Sequence, residues 1–141
     1  QQHRDNPAMA PTQERVLNSA LYLAANLGRV PALLVPCMQG RPDTPGLPAG
    51  TISGMYGSII PATWSFMLAA RERGLGTCWT TLHLESEREV ARLLGIPEDY
   101  TQIALIPIAH SVGTTFSPAP RKPLEDVLHI NNWNIRVDET N

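Results

Sequence analysis

Apolar positions along this chain follow two rhythms in alternation. Between Thr12 and Leu27, the residues Val16, Ala20, Leu23 and Leu27 recur at spacings of three and four, which places them on one face of a helix. Gly28 follows, a residue suited to the positive φ just past a last helical turn. Val30 to Met38 is a short, nearly continuous apolar run, and it predicts a strand covered on both faces. Pro31 and Pro36 lack the ladder donor, so they belong at its ends or on an edge. Residues 39–50 hold three prolines and three glycines and predict a surface loop. Residues 51–73 are helical in two pieces, with Pro61 opening the second. Trp64, Met67 and Leu68 form its apolar face, Arg71 to Arg73 its exposed end, and Gly74 its stop.

The rhythm then shortens. Leu75 to Leu82 is rich in strand formers. Ser86 and Glu89 have the spacing of a capping box, opening a helix that runs to Leu94 and stops at Gly95. Tyr100 to Ala109 is the strongest strand signal, and its apolar character predicts a central position despite Pro107. A Ser/Gly/Pro loop, a helical turn over Pro123–Ile130 and a polar tail complete the chain. Helices and strands alternate, which predicts a layered α/β domain. A mobile lead-in over 1–12, a domain over 13–133 and a tail over 134–141 are the expected divisions.

Composition narrows the class. The chain has 141 residues, enough for one domain that removes roughly 70% of its unfolded surface from water. Apolar residues make up 43%, which argues against disorder throughout. The net charge is −2 and the eleven basic residues form no run, so a nucleic-acid partner is not expected. Cys37 and Cys78 are too few for a disulfide scaffold. Two reduced, buried thiols are expected, with one disulfide left open. No stretch is long enough for a membrane span, and the polar start is no signal peptide, so a cytoplasmic location is the default expectation. The first residue is Gln, not Met, and an incomplete N-terminus is expected.

Candidate chemistry is sparse. Gly74-Leu75-Gly76 lacks the third glycine and the preceding strand of a dinucleotide fingerprint, and by itself reads as a helix stop and turn. His3, His83, His110 and His129 show no metal-ligand spacing, so no metal is expected. His83 stands out only because it falls at a strand end, where α/β folds place their ligand crevices. No nucleophile elbow is present. Glu85, Glu87 and Glu89 fit an exposed helix face. Arg121-Lys122 is either an exposed basic pair or a phosphate clamp, since the guanidinium fork matches phosphate oxygens.

In order along the chain, several segments resemble one family. Ala69-Ala70-Arg71-Glu72-Arg73-Gly74-Leu75-Gly76-Thr77-Cys78-Trp79 resembles the central helix and following strand of nitroreductase-family flavoproteins. Val30 to Val35, Glu89 to Glu98, Ile103 to Ile108 and Arg121 to Val127 are similar to further segments of that family. The resemblance implies a three-layer α/β fold with a central mixed sheet, a homodimer, and FMN bound between subunits. It implies hydride transfer from NAD(P)H through the flavin to a nitroaromatic, quinone or similar small acceptor. The loop Thr80, Thr81, Leu82, His83 and Leu84 takes the place that contacts the isoalloxazine ring, with His83 as a tuner of the flavin. Arg121 matches the family's phosphate-binding arginine, with Lys122 as its helper. The family's arginine-rich opening has no counterpart here. Two rivals therefore stand beside the enzyme: a non-catalytic, flavin-sequestering relative, and a cofactor-free remnant acting in protein interaction.

Overall fold

The computed structural model describes residues 10–113, 115, 118, 121–133 and 135. Most of the expected lead-in, 1–9, and all of the expected tail but Ile135 lie outside them. The chain divides into two compact units, one through Ser111 and one from Val112 on.

The first unit opens with α1 (Ala10–Asn26) and a 3₁₀ turn over Leu27–Arg29. Gly28 lies inside that turn and has no positive φ, because the chain tightens to 3₁₀ geometry before it stops. On the expected apolar face, only Leu23 and Leu27 are half-buried, and Val16 is 63% exposed. The described chain therefore leaves much of the apolar face of α1 uncovered.

The expected strand over Val30–Met38 is two strands, β1 (Ala32–Leu34) and β2 (Cys37–Gln39). Pro36 sits between them, and Pro31 just before β1, as their missing donors require. Likewise, the Tyr100–Ala109 run is divided into β4 (Tyr100–Gln102) and β5 (Ile106–His110). β5 is central in a three-stranded sheet of order β1-β5-β3, where β3 is Leu75–Thr77. Leu34 faces Ile106 in this sheet, and Thr77 faces Ile108. β2 and β4 form a separate pair, with Cys37 opposite Gln102 and Gln39 opposite Tyr100. Every pairing among the described residues is antiparallel, so these residues form two small antiparallel sheets in place of the expected central mixed one. The β3 ladder stops at Ile108, so the missing donor of Pro107 is asked of at most one neighbour.

One helix, α2 (Ala49–Glu72), runs through Pro61 without a break. Proline at an interior position leaves the carbonyl four residues back, here Gly57, without its N–H. Gly57 is exposed, so water can take that carbonyl. The face turned inward is not Trp64 and Leu68 but Ile52, Met55, Ile59, Thr63, Met67 and Ala70. Their spacings of three and four describe a single stripe. Thr63 is buried because its hydroxyl donates to the Ile59 carbonyl at 2.9 Å. On the far side, Tyr56, Ile60, Trp64 and Leu68 form an exposed i, i+4 row, with Trp64 at 56%.

After β3 a 3₁₀ turn (Leu82–Ser86) leads straight into α3 (Glu87–Leu94). Leu82 thus belongs to a turn and not to the strand expected there. Ser86 has φ −116° and ψ 30° and makes no side-chain cap bond. The capping box does not form, because the chain enters α3 already coiled and not in the extended geometry a cap requires. The stop at Gly95 is as expected. Its φ is +68°, and the Ile96 N–H reaches back to the Ala91 carbonyl at 2.9 Å.

The core of this unit is small. Ile106 and Ala104 are completely buried, with Met38, Ala70 and Ile103 nearly so. Ile103 ties the two sheets together by donating its N–H to the Pro36 carbonyl at 3.0 Å. Both cysteines are free thiols. Cys37 is half-buried, and burial raises its pKa, with Glu87 adding to the effect. Cys78 is exposed, contrary to expectation, because β3 ends one residue before it. Alkylation by iodoacetamide should therefore modify Cys78 first, and peptide mass mapping at short times checks this. Equal labelling of both thiols would contradict the placement.

In the second unit, the described residues form a 3₁₀ turn at Leu124–Asp126, shorter than the helical turn expected over Pro123–Ile130. Asn131 has a positive φ of 60°, and His129 stacks on Trp133 with ring centroids 4.3 Å apart.

Candidate functional site

β3 delivers the chain to Thr80, which is anchored on both sides. Its N–H donates to the Leu105 carbonyl at 3.1 Å, and the Leu105 N–H returns a bond to Thr80 at 2.9 Å. The Thr80 hydroxyl adds a third at 2.8 Å. The next bond is from the Leu84 N–H to the Thr81 carbonyl at 3.0 Å, closing the first 3₁₀ turn. Three consecutive amides, those of Thr81, Leu82 and His83, have no partner among the described residues. Amides at the start of a helical turn have no intrahelical acceptor, so this row follows from the turn itself.

Behind this segment lies a polar cluster that the sequence did not announce. Arg41 donates two bonds to the Glu87 carboxylate, at 2.8 and 3.0 Å, and two to Asp43, at 3.0 and 2.9 Å. A fifth goes to the Tyr100 carbonyl at 3.0 Å. The Arg41 and Glu87 side chains are only 19% and 15% exposed. The Arg41 guanidinium holds the carboxyls of Glu87 and Asp43 below their usual range, and those two carboxylates raise its own pKa. Glu87 is therefore not on an exposed face as expected, although Glu85 and Glu89 are. It stands at the first position of α3, where the 3₁₀ turn directs it inward.

Arg41 is brought in by a specific turn. Gly40 has φ +102°, donates its N–H to the Asp99 carbonyl and accepts the Thr101 hydroxyl, both at 2.6 Å. A Cβ at that position would lie 2.7 Å from the Met55 methyl. Only glycine fits the conformation without strain.

Gln102 is tied to this cluster through Glu87. Its backbone N–H donates to Glu87 Oε1 at 3.2 Å, and its Nε2 donates to the Glu87 carbonyl at 2.7 Å. Gln102 is 3% exposed, yet its Oε1 has no hydrogen-bond partner, and neither ring nitrogen of His83 has one. The carboxamide still pulls the imidazole pKa upward, with Glu87, against the larger lowering by burial. Buried polar atoms without partners are uncommon and call for an explanation.

A cavity of about 210 Å³ lies against Leu84, Gln102, Tyr56 and the Arg41–Glu87 pair. It is smaller than the ~300–1,000 Å³ of typical small-molecule sites. A second cavity, of about 390 Å³, shares Arg41 and Glu87 and is otherwise lined by α3, Ile96–Glu98 and Tyr100. Of the residues expected at the site, Thr80, Thr81, Leu82, His83 and Leu84 form one continuous stretch in the first unit. Arg121 and Lys122 belong to the second unit, both exposed, just ahead of its 3₁₀ turn. Arg41, Glu87 and Gln102 were missed. The one available signal was an arginine and an aspartate inside a loop rich in proline and glycine.

Among the described residues no group of His, Cys, Asp and Glu has the arrangement of a metal site, and no helix is long and apolar enough to cross a membrane. Comparison with known proteins gives four findings. A BluB-like flavoprotein from Clostridium difficile 630 is similar in structure, with a TM-score of 0.53 and 18% identity over 89% of this chain and 68% of that one. A nitroreductase family protein from Clostridium novyi NT aligns with a TM-score of 0.42 and 23% identity over 79% of this chain and 57% of that one. No curated protein matches the chain. The sequence model of the nitroreductase family matches residues 1–110. The chain therefore belongs to the nitroreductase family, a membership that suggests flavin-dependent oxidoreduction, on a nitroreductase-like α/β fold of helices and small sheets.

Proposed function

We propose that this chain forms part of an FMN site in an NAD(P)H-dependent oxidoreductase that reduces a small acceptor such as a nitroaromatic or quinone. The observation that carries the reading is the row of unpartnered amides at Thr81, Leu82 and His83, in the segment that resembles the family's ring-binding loop. The flavin, when bound, supplies the redox chemistry, and the protein supplies position and electrostatics. Fixed N–H donors favour negative charge gained on reduction, and they cost no reorganisation when it develops. The Thr80–Leu105 bonds hold this row in place. Arg121, with Lys122 beside it, would take the phosphate, through a charge-assisted bidentate contact.

Two results test this. Protein titrated with FMN should bind it, and anaerobic NAD(P)H should bleach the yellow complex. Binding without bleaching would leave a flavin holder and not an enzyme, and no binding would end the proposal. Arg121→Ala should weaken FMN affinity roughly ten- to hundredfold, the loss of one or two hydrogen bonds to a charged group. Fluorescence quenching of FMN measures this, and an unchanged affinity would remove Arg121 from the site.

The exposed row Tyr56, Ile60, Trp64 and Leu68 supports a second part of the reading, an isologous homodimer formed on α2. Four large apolar side chains aligned on one helix exceed the scattered exposure normal for a surface. Sedimentation equilibrium should give a dimer, and the double variant Ile60→Glu/Trp64→Glu a monomer. A monomeric parent would count against it.

A further inference from the structure

The cavity beside α3, of about 390 Å³, falls within the ~300–1,000 Å³ of small-molecule sites. Two pieces of fixed backbone wall it. One is α3 itself. The other is the chain past the Gly95 stop. The Ile96 N–H turns it back onto the Ala91 carbonyl at 2.9 Å, and the Tyr100 N–H closes it onto the Pro97 carbonyl at 3.0 Å. Half-buried Ala91, Ile96 and Tyr100 line the cavity together with Pro97, so its floor is largely apolar.

The charges around that floor do not balance. Arg41 and Glu87 hold each other through two hydrogen bonds. Arg88, Arg92 and Glu98 remain in the lining, two cations against one carboxylate. The Arg88 side chain is 69% exposed. Its ion-pair partner Asp43, at 3.9 Å, is beyond hydrogen-bond length and already accepts two bonds from Arg41. Arg92 donates from Nε to the Arg88 carbonyl at 3.4 Å, which folds its side chain back over the turn toward Arg88. The terminal nitrogens of Arg92 have no partner among the described residues. Positions four apart share one helix face, with Cβ atoms roughly 5–6 Å from each other, and like charges so placed repel. An anion between them turns that repulsion into attraction.

We propose that this cavity binds a small phosphate monoester, with its phosphate between Arg88 and Arg92 and its organic part on the apolar floor. The two arginines select the phosphate. A single guanidinium fork fills a planar carboxylate, whereas a tetrahedral phosphate accepts from two forks that approach from different sides. Glu98 makes no ion pair among the described residues and repels a second acidic group, so the organic part is uncharged. None of these residues belongs to Thr80–Leu84 or to the Arg121–Lys122 pair, so the proposal does not rest on the flavin reading.

The test titrates the full chain with phenyl phosphate at low salt by isothermal calorimetry, with inorganic phosphate in parallel. Phenyl phosphate should bind about tenfold more tightly, through its contact with the floor. No binding, or equal affinities for the two, would overturn the proposal. Arg88→Gln and Arg92→Gln should each weaken phenyl phosphate about tenfold, and the double variant about a hundredfold. Both side chains lie on the surface, so the variants keep the fold, and an unchanged affinity in the double variant would overturn the site. Arg73→Gln removes a cation that does not line the cavity and should leave the affinity as it was. A loss there as large as in Arg92→Gln would show a response to net charge alone, which also overturns it. FMN is itself a phosphate monoester and keeps the two readings apart. Its affinity should fall in Arg121→Ala and hold in the double variant. The reverse result would make this cavity the seat of the FMN phosphate and end its standing as a separate site. Phenyl phosphate binding without FMN binding would support this cavity while the flavin reading failed.

Discussion

Replacing Glu87 by alanine should destabilise the protein by about 2–3 kcal/mol, below the 3–5 of a fully buried broken pair because Arg41 keeps Asp43 and some water. The variant removes both oxygens that Arg41 holds, and the acceptor of the Gln102 N–H. It leaves a guanidinium whose side chain is only 19% exposed, facing one carboxylate in place of two. Chemical denaturation at neutral pH measures the loss. Glu87→Gln should lose less, because an amide still accepts from Arg41. The pH dependence has a defined sign. Glu87 is more acidic folded than unfolded, so its contribution is complete above the unfolded value of about 4.3 and lost as pH falls through the lower folded value. The gap between parent and Glu87→Ala should therefore be widest near neutrality and narrow in acid. A gap that stays constant from neutral to acid pH would show that the Arg41–Glu87 pair contributes nothing.

Ile106→Ala should cost about 3–4 kcal/mol, within the usual range for truncating a buried isoleucine. Ile106 is the largest side chain enclosed completely, and it lies where β5 pairs with Leu34 of β1. The core has few large members, so little can collapse into the space left by its lost carbons. Ile106→Val should cost about 1 kcal/mol by the same reasoning. The urea midpoint of the two variants checks the ratio. Equal costs for the two would mean that the site relaxes around the missing atoms and that packing at the sheet centre is loose.

The sequence by itself determined the order of elements, the ends of α2 and α3, and the family. Gly74 and Gly95 marked real stops because their positive φ is a local backbone need, readable one residue at a time. The apolar run at Tyr100–Ala109 correctly marked the centre of the fold. Periodicity could not say that this run serves two sheets, since β4 and β5 are divided by which strand each meets and not by composition. The same limit applied to α2. Trp64 and Leu68 are as apolar as Ile59 and Met67, and only contact with β3 and β2 decides which stripe turns inward.

At the site the division is sharper. The proposed segment Thr80–Leu84 is contiguous, so a resemblance along the chain can point to it. Arg41, Glu87 and Gln102 were not legible, because Arg41 and Glu87 stand 46 residues apart, Glu87 and Gln102 stand 15 apart, and none is unusual alone. Tertiary folding decided that a loop arginine would meet the first residue of α3, and that the same residue would hold the buried Gln102 amide. Local conformational preference is written in adjacent residues, but a buried charge is tolerated only where distant ones converge on it.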